Sequence, residues 1–138
     1  METRSLLITY AGYPFTPSSL MPDNGYASLA AELLREGHET RILDCCTIDA
    51  VRRLMPESIA QKALPVVQSI FEKITKGVPP SSDEIHSLHS FDNELNEIHN
   101  YEVIRISREI AQIIRKDKIQ FVGFKLWNGD GYLKVKLE

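Results

Sequence analysis

A chain of 138 residues, 43% of them hydrophobic, is long enough for one compact domain with a real core. Its formal charge of -3, from 16 basic and 19 acidic residues, supplies no basic field, so neither nucleic acid nor an anionic membrane surface is an expected partner. The opening METRSLLITYAG has three consecutive aliphatic residues, short of a signal h-region of roughly 7 to 15, and no segment approaches a membrane span, so the chain is expected in the cytoplasm.

Three short apolar runs read as strands: Ser5 to Tyr10 (SLLITY), Glu39 to Asp44 (ETRILD) and Ile119 to Leu126 (IQFVGFKL). The first and third are nearly continuous in aliphatic or aromatic residues, the pattern of strands covered on both faces of a parallel sheet. Between the first two runs, Asp23-Asn24 can cap a helix that reaches Glu36, with Ala27, Ala30, Leu33 and Leu34 on one face and Gly37 placed to end it. Strand, loop, helix, glycine and strand make a βαβ unit. His38 falls in the turn after that helix and reads as structural. The adjacent Cys45 and Cys46 would point to opposite faces of an extended strand, which disfavours a disulfide between them, and both are taken as reduced.

A single helix would suffice between the second and third strands, yet residues 49–117 intervene. One helix is expected from about Glu57 to Lys76, with Ile59, Ala63, Val66, Val67, Ile70 and Ile74 inward and a kink at Pro65. Gly77-Val78-Pro79-Pro80-Ser81-Ser82 reads as a break, after which Asp83 would cap a second helix carrying Ile85, Leu88, Leu95 and Ile98. A third helix, from about Tyr101 to Lys116, carries Val103, Ile106, Ile110, Ile113 and Ile114 into the last strand. The expected architecture is therefore one α/β domain over residues 1–138, a three-layer Rossmann-like parallel sheet in flavodoxin-like order. Its sheet is incomplete, and a helical insertion at 49–99 lies between strands 2 and 3.

In open α/β sheets, ligands bind beyond the carboxyl ends of strands where crossovers diverge. With the first strand central, the loop Ala11 to Pro22 (AGYPFTPSSLMP) and the turn Trp127 to Gly131 (WNGDG) would meet there. Tyr10, Tyr13, Pro14, Ser18 and Ser19 are the candidate lining of the first segment, against the plainer reading of a surface loop. Trp127, Asn128, Gly129 and Asp130 are the candidates in the second, although Asn-Gly and Asp-Gly pairs also simply form turns, and a lone Trp at a strand end can pack on a helix. The combination suits a large, partly apolar ligand with hydrogen-bonding groups on its rim.

The stretch PDNGYASLAAELLREGHETRILD, after a strand and a Pro-rich loop, resembles the N-terminal cobalamin-binding domain of cobalamin-dependent radical S-adenosylmethionine enzymes. That family has a Pro-rich loop, a helix opened by Gly-aromatic or Leu-Ala-Leu-Ala, a Gly-His and an Ile-Leu-Asp strand end. GFKLWNGDGY is similar to its third strand and the ligand-facing turn. The similar segments cover about residues 4 to 44 and 119 to 132. The resemblance implies cobalamin as the bound cofactor and a radical S-adenosylmethionine domain as the partner, with an iron-sulfur cluster and S-adenosylmethionine held by sequence downstream. It also implies Trp127 against the corrin, with Asn128 and Asp130 bonding its amides.

The departures are equally specific. The cluster motif CxxxCxxC is absent, because the only cysteines are Cys45 and Cys46, so radical chemistry is not encoded here and no catalysis is expected of the chain. The cobalt-ligating DxHxxG of other cobalamin domains is also absent, the nearest approach being Asp83-Glu84-Ile85-His86. A complete domain of the family has about five strands and three are legible, so a truncated form, or a short homologue that dimerises through its open sheet edge, is expected. His86, His89 and Asp92 at helical spacing read as a solvated surface before a metal site. Gly129-Asp130-Gly131 lacks the rest of a dinucleotide fingerprint, and the hydrolase and P-loop motifs are missing. The alternative function is a cofactor-free domain of the same fold that binds a protein partner or dimerises.

Overall fold

The structure, a computed structural model, describes residues 3–10 and 24–126. Their order is β1 (Arg4–Tyr10), α1 (Asn24–Arg35), β2 (Glu39–Asp44), α2 (Ile48–Leu54), α3 (Glu57–Thr75), α4 (Ser82–Asp117) and β3 (Phe121–Leu126). The strands form one parallel sheet in the order β2-β1-β3. The register pairs Leu7 with Ile42 on one side and with Gly123 on the other. This is an open, helix-rich α/β fold of Rossmann-like type, and its order is that of the first three strands of a flavodoxin-like sheet. The chain divides into two compact units, Met1–Val51 with Val103–Glu138, and Arg52–Glu102.

In the first unit β1 is central and is buried at every residue after Arg4. Its alternation separates two faces. Leu6, Ile8 and Tyr10 form the core with Val103, Ile106 and Ile110 from the last turns of α4, all of them at most 1% exposed. Leu7 points to the other face, where a Cβ on Gly123 would lie 3.0 Å from Leu7 Cδ2 and 3.7 Å from the hydroxyl of Tyr26 in α1. Helix, sheet and helix are thus the three layers. Ala30 is buried and Tyr26 and Leu33 half-buried, so the covered face of α1 runs through 26, 30 and 33, whereas Ala27 and Leu34 of the expected face are exposed.

Gly37 ends α1 as expected. With φ +82 it lets its own N–H donate to Leu34 O and that of His38 to Leu33 O, the paired bonds of a Schellman closure. His38 Nδ1 shares a 2.8 Å hydrogen bond with Thr3 Oγ1, which holds the turn against the start of β1. The end of α4 closes in the same way without a glycine. Lys118 has φ 52, and the N–H of Ile119 donates back to Ile114 O. That closure occupies Ile119, and Gln120 N–H bonds Arg4 O, so β3 starts at Phe121, two residues later than its apolar run.

Two sequence expectations are corrected here. Unlike β1, β3 is not covered on both faces, since Phe121 is 61% exposed and Val122 36%, as expected of an edge among the described residues. The helices expected to divide near residue 100 are one, α4, because His99-Asn100-Tyr101 contains neither glycine nor proline to interrupt the backbone bonds. The sequence reading also passed over α2, whose first turn is capped by Thr47 Oγ1 accepting from Ala50 N–H at 3.2 Å.

In the second unit, α3 runs through Pro65 without ending and closes at Gly77, where Val78 N–H donates to Lys73 O. The next helix opens with a capping box in which Ser81, two residues before the expected Asp83, is the cap. Ser81 Oγ accepts from Glu84 N–H at 3.3 Å, while Glu84 Oε2 accepts from Ser81 N–H at 2.7 Å. Glu84 also accepts from Ser69 Oγ at 2.6 Å and from Lys73 at 2.7 Å, tying the end of α3 to the start of α4. These donors, Lys73 foremost, hold the Glu84 carboxyl down at about 2. Buried Glu102 is paired with Arg53 Nε at 2.7 Å, as a carboxylate out of water requires. The single inward face expected of α3 resolves into two. Ile59 is buried and Ala63, Val66 and Ile70 are half-buried, but Val67 and Ile74 are 47% and 60% exposed.

Candidate functional site

Chain order and sheet order together show where the connections diverge. The chain leaves β1 to form β2 on one side and returns past β1 to form β3 on the other, so the connections diverge at the carboxyl end of β1. Tyr10 and Leu126 are register partners at the last rung between β1 and β3. The two segments marked by the sequence, 11–22 and 127–131, therefore begin one residue beyond the same rung. Of the candidate residues, Tyr10 is described: it is 1% exposed and belongs to the core cluster with Val103, Ile106 and Ile110. Tyr13, Pro14, Ser18, Ser19, Trp127, Asn128, Gly129 and Asp130 lie outside the described residues.

The carboxyl end of β2 is described in full and shows what its polar groups do. Asp44 Oδ1 accepts from Thr9 Oγ1 at 2.7 Å and from the N–H of Cys46 at 2.8 Å. Cys45 N–H in turn donates to Thr9 O at 3.0 Å. Asp44 thus stitches two strand ends together and caps the turn into α2. The adjacent cysteines are not joined. Burial, reinforced by the carboxylate of Glu109, pushes the Cys45 thiol up to about 12, so it stays protonated and is a poor nucleophile at neutral pH. Cys46 is buried.

A corrin needs a flat apolar contact, donors and acceptors for its rim amides and, in some proteins, an imidazole for cobalt. Among the described residues no group of three His, Cys, Asp or Glu is placed to hold a metal ion. His86, the nearest approach to a cobalt-ligating motif, sits on the exposed first turns of α4 with Nδ1 bonded to its own helix at Ser82 O, 2.7 Å away. Gly123, three rungs inside the sheet from Leu126, leaves no cradle for a corrin, because the space its missing Cβ frees is taken by Leu7 and Tyr26.

A cavity of about 500 Å3 lies at the opposite end of the sheet, where sequence reasoning placed nothing. Arg4, Ser5, Leu34, Glu39, Thr40, Arg41, Lys116, Asp117 and Ile119 line it. Four of its charged groups, Arg4, Glu39, Arg41 and Asp117, are paired with one another. Arg4 Nε pairs with Glu39 at 2.6 Å, Arg41 pairs with Asp117, and the hydroxyls of Ser5 and Thr40 are 2.9 Å apart. These bonds clamp the amino ends of β1 and β2 to the end of α4, which is a structural duty. The only advance signal was the placement of Arg4, Glu39, Arg41 and Asp117 next to strand and helix ends.

No helix among the described residues is long and apolar enough to cross a membrane. The chain matches no family model, no curated protein and no solved structure.

Proposed function

We propose that this chain is a cobalamin-binding module, the cofactor-holding part of a cobalamin-dependent radical S-adenosylmethionine enzyme, without catalysis of its own. The observation that carries the proposal is the shared last rung of β1 and β3, at the point where the connections diverge. From that rung begin the two segments whose residues suit a corrin, Tyr13, Pro14, Ser18 and Ser19 on one side and Trp127, Asn128, Gly129 and Asp130 on the other. When bound, cobalamin supplies a cobalt centre that can carry a group such as methyl. The chain's part is to hold the corrin by its rim, with Asn128 and Asp130 bonding amides and Trp127 stacking on the ring. The radical domain, its iron-sulfur cluster and S-adenosylmethionine belong to a partner sequence, and the setting is cytoplasmic.

The test is a titration with hydroxocobalamin, following the cobalamin visible spectrum together with the fluorescence of Trp127, the single tryptophan. The expected result is saturable quenching with the chromophore retained after desalting, and loss of both on Trp127→Ala. A folded sample that neither quenches nor retains cobalamin, with the same result when the radical domain is present, would overturn the proposal.

A further inference from the structure

The second unit carries a surface that the cobalamin reading does not use. Along α3, Leu64, Val67, Phe71 and Ile74 are 56%, 47%, 72% and 60% exposed, and Val78 just beyond the helix is 48% exposed. Their spacing alternates three and four, the a/d pattern of a helix that lies along another helix. They are distinct from the covered positions Ile59, Ala63, Val66 and Ile70, which lie about 100° away around the helix. α3 is therefore apolar on two adjacent faces, and one of them has no cover among the described residues.

We propose that this second face of α3 is where two copies of the chain associate. The flanking residues select the occupant. The positions beside the seam are Gln61, Gln68 and Thr75 on one edge and Ala63, Ile70 and Gly77 on the other, all uncharged. A surface that meets its own copy brings identical edges together, and charged edges would repel; these do not. The charged residues Lys62, Glu72 and Lys76 project from the far side of the helix. The area agrees. The five side chains leave on the order of 400 to 500 Å2 of apolar surface open, at the upper end of what a monomer exposes in one patch. Two copies would remove about 1,000 Å2 with their flanking stems, close to the floor for a specific interface, so the expected dimer is of modest affinity.

Sedimentation velocity on the full chain from about 1 to 200 µM tests this across the range of modest affinities. The expected result is a monomer–dimer equilibrium whose midpoint moves at least about tenfold upward in Phe71→Glu and in the milder Ile74→Gln, both at exposed positions where folding, checked by circular dichroism, is retained. Val122→Lys on the exposed edge strand β3 should leave the midpoint unchanged. A monomer throughout the range would overturn the proposal. So would a dimer that survives both α3 variants, and a dimer lost only in Val122→Lys would assign association to the sheet edge.

Discussion

The two compact units use their apolar residues in opposite ways. In the first, the central strand and the last turns of α4 bury Leu6, Ile8, Val103, Ile106 and Ile110 almost completely. In the second, Leu54, Ile59 and Leu95 are buried, while Leu64, Val67, Phe71 and Ile74 remain open. Hydrophobic content alone does not distinguish the cases. What separates them is geometry: a strand in a parallel sheet has both faces covered by its own crossovers, whereas a helix in a hairpin has one covered face and must find a partner for any second one. The core around β1 is finished internally, whereas α3 keeps one apolar face open among the described residues.

That contrast can be broken most directly by truncating one residue from each set. Ile106→Ala should cost about 2 to 5 kcal/mol in denaturant unfolding, because it opens a cavity against Ile8. Phe71→Ala, 72% exposed, should change stability of the monomer by less than about 1 kcal/mol. Equal losses would erase the distinction. Gly123→Val probes the other face of the same sheet and should cost about 1 to 3 kcal/mol, since Leu7, itself buried, would have to yield to the new side chain.

Acid should act selectively on the second unit. The Glu84 carboxyl is held at about 2 against an ordinary value of 4.5. A carboxyl lowered by folding gives its full stabilisation above its unfolded value, and that stabilisation is lost as pH falls through 4.5 towards about 2. The helical circular dichroism signal should decline over that window, and Glu84→Gln should remove that part of the pH dependence. The smallest effect is a gain. Lys118→Gly should stabilise the chain by about 0.5 to 1 kcal/mol in thermal melts, because Lys118 holds a positive φ that glycine adopts without strain.

The sheet was legible because its signals are local and redundant. SLLITY, ETRILD and the run before Leu126 are strands, and Gly37 is a helix terminator that no other residue type would mark so clearly. The insertion was less so. A broad apolar set such as 59, 63, 66, 67, 70 and 74 satisfies the helical period whether it forms one face or two, and which face is covered depends on the neighbouring helix. The boundary expected near residue 100 does not occur, because the small propensity deficits of His99, Asn100 and Tyr101 are overridden by the long α4. At the site, topology pointed to the carboxyl end of β1, and Tyr10, named there as lining, belongs to the core cluster. Strand alternation places it on the same face as Leu6 and Ile8, and that signal was available.

The central position of β1 has a consequence for synthesis. Leu6, Leu7 and Ile8 leave the ribosome before the rest of the sheet, and the strand that covers their second edge, Phe121–Leu126, follows 116 residues later by the pairing of Ser5 with Phe121. At roughly 5 to 20 residues per second, that is a delay of about 6 to 23 s. For that interval the most apolar strand has β2 on one side and open backbone groups on the other, an adhesive edge on the nascent chain. A chaperone that shields extended apolar segments is the expected companion of this chain while it is being made, and its yield should fall when translation between β2 and β3 is slowed.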